Sequence, residues 1–406
     1  MTGSLITTTT RGLAAPYYAL LYLPWGLASG FMTVTLSYVL AQAGISVAVI
    51  AGLVALFLLP ATWKMLVGPV IDVSLTPVRW CIIATAATII VMGIFGATTP
   101  DSAAVPLLSA LSLALGITTS LSGSATTATM AAISEDSQRG AIAGWLQVAQ
   151  LGGAGLGGGA GLWLAQHAGG LSASTVMIIV LLALSLLPLL RVRLSVRVQG
   201  RSLGVQTREL GRVLMTTLRT RRGALALLLN LLPAGLGASA NLWSAIAGDW
   251  NASADLVALF GGALGGLASI PGCLLGGYLC DRLPRRSVYI GACFASSTGL
   301  AVMALAPHTA GWFGTMVLVN ALLLGVAWAG VSAVVFETLT EVGAATVFSL
   351  LASASNVPVV IMTVVVGAVR TRSGPTAMLL VEAGAGVLAM LLFMGIARLW
   401  RVPAVA

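Results

Sequence analysis

The chain has 406 residues, of which 58 % are hydrophobic and only 8 % charged. Soluble domains carry about 25 % charged residues, so an ordinary globular protein is excluded and a lipid solvent is required. The formal net charge of +9 gathers largely in one connection, which reads as orientation in a bilayer and attraction to anionic headgroups, with no nucleic acid as partner.

Charge-poor runs recur along the chain, each long enough to cross about 30 Å of hydrocarbon. Twelve spans are predicted, over 16–40, 47–71, 80–99, 103–133, 140–166, 170–190, 224–247, 254–280, 287–306, 310–336, 343–369 and 375–399. Lipid cannot satisfy free backbone groups and no alternating barrel pattern is present, so the spans must be helices. Arg11 precedes an apolar run too long for the core of a cleaved signal. Cys81, Cys273, Cys280 and Cys293 fall in or at the ends of spans, so they imply no disulfide framework.

Span one carries Tyr22, Trp25 and Ser29 around Pro24. Pro24 removes a backbone hydrogen bond and allows a kink. Span two contains Lys64, the only lysine in the chain, about two turns from Asp72. A charge inside a span is costly and faces a cavity or a partner unless its long stem snorkels to the interface. Both readings of Lys64 stand on sequence alone. Span four contains no arginine between Ala103 and Ser134. Span five supplies Gln147 and Gln150 and then the run from Leu151 to Gly161, rich in glycine. Span eight is similar, with Gly261, Gly262, Gly265, Gly266, Gly272, Gly276 and Gly277. Small residues let helix backbones approach closely and slide. Either they pack tightly within one half, or spans five and eight face each other across the interface between halves.

Between spans six and seven, Arg191 to Arg222 holds nine arginines. Leu210, Val213, Leu214 and Leu218 share a helical face there, which predicts an interfacial helix along the inner leaflet. Span seven has Asn230 and Asn241 around Pro233, and span ten has Asn320 and Trp328. These polar residues are candidates for substrate binding, together with Lys64, Tyr22, Trp25 and Gln147. Helix-to-helix hydrogen bonding is the competing role for each. Glu382 lies about seven residues into span twelve. It either carries a coupling proton or pairs with Arg370 or Arg372. His167 and His308 fall in loops, where a lone histidine carries no function by itself.

The basic residues set the topology. Arg79, Arg139, Arg282, Arg285, Arg286, Arg398 and Arg401 share a side with the arginine-rich connection. The opposite loops carry Asp101, Asp249 and Asp255, with Arg370 and Arg372 as a local exception. By the positive-inside rule both termini and the connection are cytoplasmic.

The chain also repeats itself. Leu23-Pro24-Trp25-Gly26-Leu27 returns as Leu232-Pro233-Ala234-Gly235-Leu236, and Gly68 and Asp72 return as Gly277 and Asp281. The offset is constant, 232−23 = 281−72 = 209. Such a repeat predicts an all-α membrane protein of two pseudo-symmetric six-helix bundles, 1–190 and 224–406, joined by the basic connection 191–223. Lys64 breaks the repeat, since its counterpart is Cys273.

Twelve spans, homologous halves and a basic middle loop resemble the major facilitator superfamily. Gly277-Tyr278-Leu279-Cys280-Asp281-Arg282-Leu283-Pro284-Arg285-Arg286 is similar to that superfamily's Gly-x-x-x-Asp-Arg-x-Gly-Arg-Arg loop, with Pro284 in place of glycine. The resemblance implies a cytoplasmic latch made by Asp281, Arg282, Arg285 and, more weakly, Asp72. Trp63-Lys64-Met65-Leu66-Val67-Gly68-Pro69-Val70-Ile71-Asp72 is similar to the Lys-x-x-x-x-Pro-x-x-Asp stretch of AmpG-type muropeptide permeases, acetyl-CoA transporters and siderophore permeases. Where muropeptide permeases would have acidic residues, this chain reads Thr127-Ala128-Thr129-Met130-Ala131-Ala132.

No phosphate-cradling loop, paired metal histidines or Gly-x-Ser-x-Gly turn is present. The expectation is therefore no enzyme, no cofactor and no metal. The expected protein is a monomeric secondary transporter of the bacterial inner membrane, in contact with lipid. It takes up an anionic or conjugated solute with protons. A drug or metabolite exporter, or a non-transporting sensor, is the alternative.

Overall fold

The computed structural model describes residues 15–133, 139–191, 203–233, 237–336 and 344–400. Among them the regular structure is helical, and nine helices are long and apolar enough to cross a membrane. Eight are single spans: one (Pro16–Gln42), two (Val47–Ile71), three (Pro77–Ala97), four (Val105–Met130), six (Gly170–Leu190), eight (Ala254–Arg282), nine (Arg285–Leu305) and ten (Ala310–Val335).

The ninth holds spans eleven and twelve. One helical run, Ala344–Leu399, is broken at Gly374 alone (φ 88°, ψ 176°). That backbone region is open to glycine and barred to other residues. The expected loop is thus a one-residue corner. Arg370 and Arg372 sit in the last turn of span eleven, where a helix favours cations.

Two spans are interrupted. Span five runs Arg139–Gly155, widens into a π turn at Leu156–Ala160 and ends as Gly161–His167. Span seven starts as Arg221–Leu231 and stops. It resumes as three short pieces, Ser239–Leu242, Trp243–Ile246 and Ala247–Trp250. Hydroxyl caps fix several starts. Ser46 accepts from Val49, Thr76 from Arg79, Thr220 from Gly223 and Ser253 from Leu256. The linker helix Leu203–Arg219 precedes span seven. Its Arg208, Arg212 and Arg219 are exposed, whereas the side chains of Leu210, Val213 and Leu218 lie outside the described residues.

Glycine is used in two directions on span five. Within the first bundle, a Cβ on Gly26 of span one would lie 2.6 Å from the Ala149 carbonyl, and one on Gly153 would lie 3.0 Å from the Gly26 Cα. Between the bundles, a Cβ on Gly159 would lie 2.7 Å from the Ala258 carbonyl, and one on Gly266 would lie 3.1 Å from the Leu151 carbonyl. Both sequence readings are therefore realised, on two stripes of one helix. Spans one, five and eight each carry a π turn where they cross, at Phe31–Leu36, Leu156–Ala160 and Ala258–Leu264. A π turn leaves carbonyls without their usual partners. Thr35 supplies some, its hydroxyl donating to the Gly157 and Gly158 carbonyls at 2.8 and 3.0 Å.

The buried apolar side chains show how the bundles meet. Toward the face that carries Asp101, Asp249 and Asp255, one cluster joins both bundles, from Leu27, Phe31 and Phe57 to Trp243, Trp250 and Phe313. Toward the arginine face each bundle keeps its own cluster. One surrounds Tyr18, Leu21, Ile71 and Leu189, and the other surrounds Leu225, Tyr289, Met390 and Phe393. The halves are sealed at the aspartate face and separate cores at the arginine face. This is two six-helix bundles that share an apolar core toward the aspartates and keep separate cores toward the arginines.

Candidate functional site

Span two tightens into a 3-10 stretch at Leu59–Leu66, begun by Pro60. Lys64 lies in it. Its Nζ is 5.9 Å from the centre of the Tyr22 ring. A Cβ built on Gly123 of span four would lie 3.6 Å from that Nζ and 3.4 Å from the Tyr22 ring. The ammonium is therefore turned inward among spans one, two and four. Those are ordinary contact distances, so a small residue at 123 leaves the ammonium its place and a branched one would not. Among the described residues it has no hydrogen-bond or ion-pair partner. One turn along span one, Trp25 stacks on Phe57 of span two at 5.6 Å. The neighbouring Met65 N–H donates to Ser353 Oγ of span eleven at 3.1 Å, so the Lys64 stretch lies at the seam between the bundles.

A second polar group lies inside the other bundle. The repeat places proline at 24 and at 233 with different results. Pro24 stays within a continuous helix, whereas span seven unwinds around Pro233 and Gly237 turns with φ +65°. The cause is a partner that span one lacks. The N–H groups of Ala238 and Ser239, orphaned by the break, donate to Glu382 Oε1 and Oε2 at 2.8 and 2.7 Å. The position matching 382 in the first repeat, 173, is Ala173. Glu382 is only 7 % exposed. It borders a small cavity with Pro233, Ser296, Ser297, Asn320 and Gly386, which has room for about one water molecule. The Ser296 hydroxyl is buried there with no partner among the described residues.

The expected pairing of Glu382 with Arg370 or Arg372 is not what forms. Arg370 instead makes a two-pronged pair with Asp249 at the end of span seven. The planar guanidinium matches the carboxylate. This pairing explains the arginine that seemed misplaced on the aspartate face. His167, read as a lone loop histidine, stacks on Trp163 and lies 3.7 Å from Asp255, across from span five to span eight.

The remaining candidates scatter. Asn320 joins Glu382 at the cavity. Asn241 donates to Thr363 of span eleven at 3.2 Å, and Asn230 turns back to the Ala226 carbonyl of its own helix at 2.8 Å. Gln147 and Trp328 are exposed. Asp281 and Arg282 are exposed at the end of span eight, with the Arg282 guanidinium 4.3 Å from the centre of the Tyr278 ring. Arg285 is half-buried at the start of span nine. The side chain of Asp72 lies outside the described residues, though its backbone ends span two. Sequence reasoning missed Gly123, Ser353, Ser296 and Ser297. None of them departs from the small, weakly polar residues usual in spans, so only their neighbours reveal them.

The family model described as the Major Facilitator Superfamily matches residues 15–361. No curated protein sequence matches. Among solved structures, the D-xylose-proton symporter is similar over 96 % of this chain and 98 % of its own, with a TM-score of 0.72 at 16 % identity. The xylose transporter XylE from E. coli, partially occluded and inward open, covers 95 % and 97 % with a TM-score of 0.71 at 16 % identity. The nucleoside transporter NupG covers 94 % and 98 % with a TM-score of 0.69 at 16 % identity. With its family's model matched over most of its length and its bundles in that arrangement, the chain belongs to the major facilitator superfamily.

Proposed function

We propose that this transporter carries an anionic or conjugated organic solute, of the muropeptide-like or siderophore-like kind, into the cytoplasm together with protons. The observation that carries the reading is Lys64: an inward-turned ammonium with no counter-ion among the described residues, beside Tyr22 and Gly123, at the seam between the bundles. Attraction between unit charges at 4 Å grows from about 1 kcal/mol in water to about 4 kcal/mol at an effective dielectric of 20. A cleft of this kind therefore selects anions. The Lys-x-x-x-x-Pro-x-x-Asp stretch around Lys64 supports the same solute class. Proton coupling draws support from the symporter among the similar folds and from Glu382, a buried carboxylate in the second bundle. The arginine face is the cytoplasmic one, so the cleft is inward-facing. The membrane is the bacterial inner membrane and the working unit a single chain. Asp281, Arg282, Arg285 and Asp72 close the arginine face when the bundles rock to the outward state.

The test is uptake by proteoliposomes offered labelled anionic and neutral solutes, with and without an imposed pH gradient. Wild-type protein concentrates an anionic solute when the outside is acidic. Lys64→Met loses that uptake at equal incorporation, and Lys64→Arg keeps part of it. Normal uptake by Lys64→Met would remove the case for an anionic substrate.

A further inference from the structure

From the joint of span seven we infer that Glu382 takes up the coupled proton and that its protonation unlocks this joint, so that the two segments of span seven reorient against each other. The inference rests on the proton-coupled reading above and adds the moving part to it.

Among the described residues one side chain caps the joint. The helix Arg221–Leu231 ends before Pro233, which has no N–H to offer, and Gly237, ahead of the resumed Ser239–Leu242, takes a positive φ. The first free donors of the resumed segment, Ala238 and Ser239, both end on the carboxylate of Glu382. An ionised carboxylate accepts at both oxygens. A protonated one turns one oxygen into a donor and gives up one of the two caps. The buried Ser296 hydroxyl, which has no partner among the described residues, or a water in the adjacent water-sized space can accept from the new O–H.

Among the described residues nothing else charged faces this carboxylate. Span seven presents Pro233 and Gly237, span nine Ser296 and Ser297, span ten Asn320 and span eleven Met362, and none of these titrates. The next titratable groups on those elements are Cys293 and Tyr289, further along span nine. Asp249 and Arg370 neutralise each other at the aspartate face. A buried carboxylate without a cation is costly as an anion, so its charge state responds to the proton supply.

The two segments do different jobs. Trp243 and Trp250 fix the second segment to Phe313 of span ten, and its short helix Trp243–Ile246 packs on span one where the bundles are sealed. Arg221–Leu231 belongs to the separate core at the arginine face. Loosening the joint between them changes how the seal is carried to the cleft.

Two measurements test this on the full chain in lipid. The first follows hydrogen exchange of the Ala238 and Ser239 amides in wild-type protein, corrected for intrinsic pH dependence. Protection should fall as pH is lowered, and protection that stays constant with pH would overturn the inference. The second places spin labels on cysteines at Arg221 and Gly248, both exposed at opposite ends of span seven. Lowering the pH should shift the distance distribution, and Glu382→Gln should show the low-pH distribution at every pH. A Glu382→Gln protein that still shifts with pH like wild type would also overturn it. Gradient-driven uptake, run in parallel, separates the two readings. Uptake indifferent to pH with a responsive joint sinks proton coupling, and with it Glu382 as the coupling site, but leaves the joint's response to Glu382 protonation standing. Gradient-driven uptake with an unresponsive joint sinks the lock alone.

Discussion

Gly159 of span five and Gly262 of span eight stand backbone against backbone: a Cβ built on Gly159 would lie 2.7 Å from the Ala258 carbonyl and 3.4 Å from the Gly262 Cα. Glycine backbone meets glycine backbone here, which lets the two helices slide. Replacing Gly262 with Leu should leave the protein inserted and folded but cut transport about tenfold or more, a barrier increase of about 1.4 kcal/mol. Gly155→Ala should be mild, because its Cβ would meet span eight at an ordinary 3.6 Å. Gly265 is a different case, since a Cβ there would meet the Phe260 carbonyl of its own helix at 2.8 Å. Uptake rates at matched incorporation check this. Normal transport by Gly262→Leu would show that the crossing is static.

Gly123 makes the space beside Lys64. A Cβ there would touch Tyr22 and the ammonium at 3.4 and 3.6 Å, which alanine tolerates and a branched side chain does not. Gly123→Val should raise the KM for the anionic solute about tenfold, the equivalent of about 1.4 kcal/mol. The melting temperature should move little, since the only groups that must give way are the half-buried side chains of Tyr22 and Lys64. Unchanged KM with a lowered melting temperature would mean that Gly123 serves packing only.

The spans, the two bundles and the meeting of two glycine-rich helices were legible because they follow from hydrophobicity, repeat and residue size. The inward position of Lys64 was half legible. A lysine stem can reach either way, and only the placement of Tyr22 and Gly123 settles its direction. The fate of the two repeated prolines was not legible at all. Pro24 and Pro233 share a local sequence, yet one helix continues and the other breaks, because a carboxylate 144 positions from Ala238 caps the free N–H groups. The pairing of Arg370 was misread for a related reason. Sequence distance favoured Glu382, while the corner at Gly374 and the end of span seven bring Asp249 to it.

The Asp249–Arg370 pair ties the end of span seven to the end of span eleven. Its side chains are 20 % and 24 % exposed, so water screens it less than a surface pair. In a double-mutant cycle of Asp249→Asn and Arg370→Gln, thermal unfolding in detergent should give a coupling of about 1–2 kcal/mol. Each single change should cost more than the second change made in the background of the first. Additive effects would show that the contact contributes nothing.

The division of the apolar cores predicts which side of the membrane reaches Lys64. A shared cluster of Phe31, Phe57, Trp243 and Trp250 closes the aspartate face, while the clusters around Tyr18 and around Phe393 stay apart toward the arginines. The expectation is that water reaches Lys64 from the arginine face and not from the aspartate face. The native cysteines interfere little, since Cys81, Cys280 and Cys293 are buried, and Cys273, part-exposed, can be replaced by serine. In that background a cysteine at Lys64 should react with a membrane-impermeant thiol reagent applied to inside-out vesicles and stay silent in intact cells. A cysteine at Asp101, exposed between spans three and four, should show the reverse. One at Arg208 on the linker helix should follow Lys64. Labelling of Lys64 from both sides would mean that the seal is broken in the membrane. Labelling of Asp101 from the inside would invert the topology on which inward transport rests.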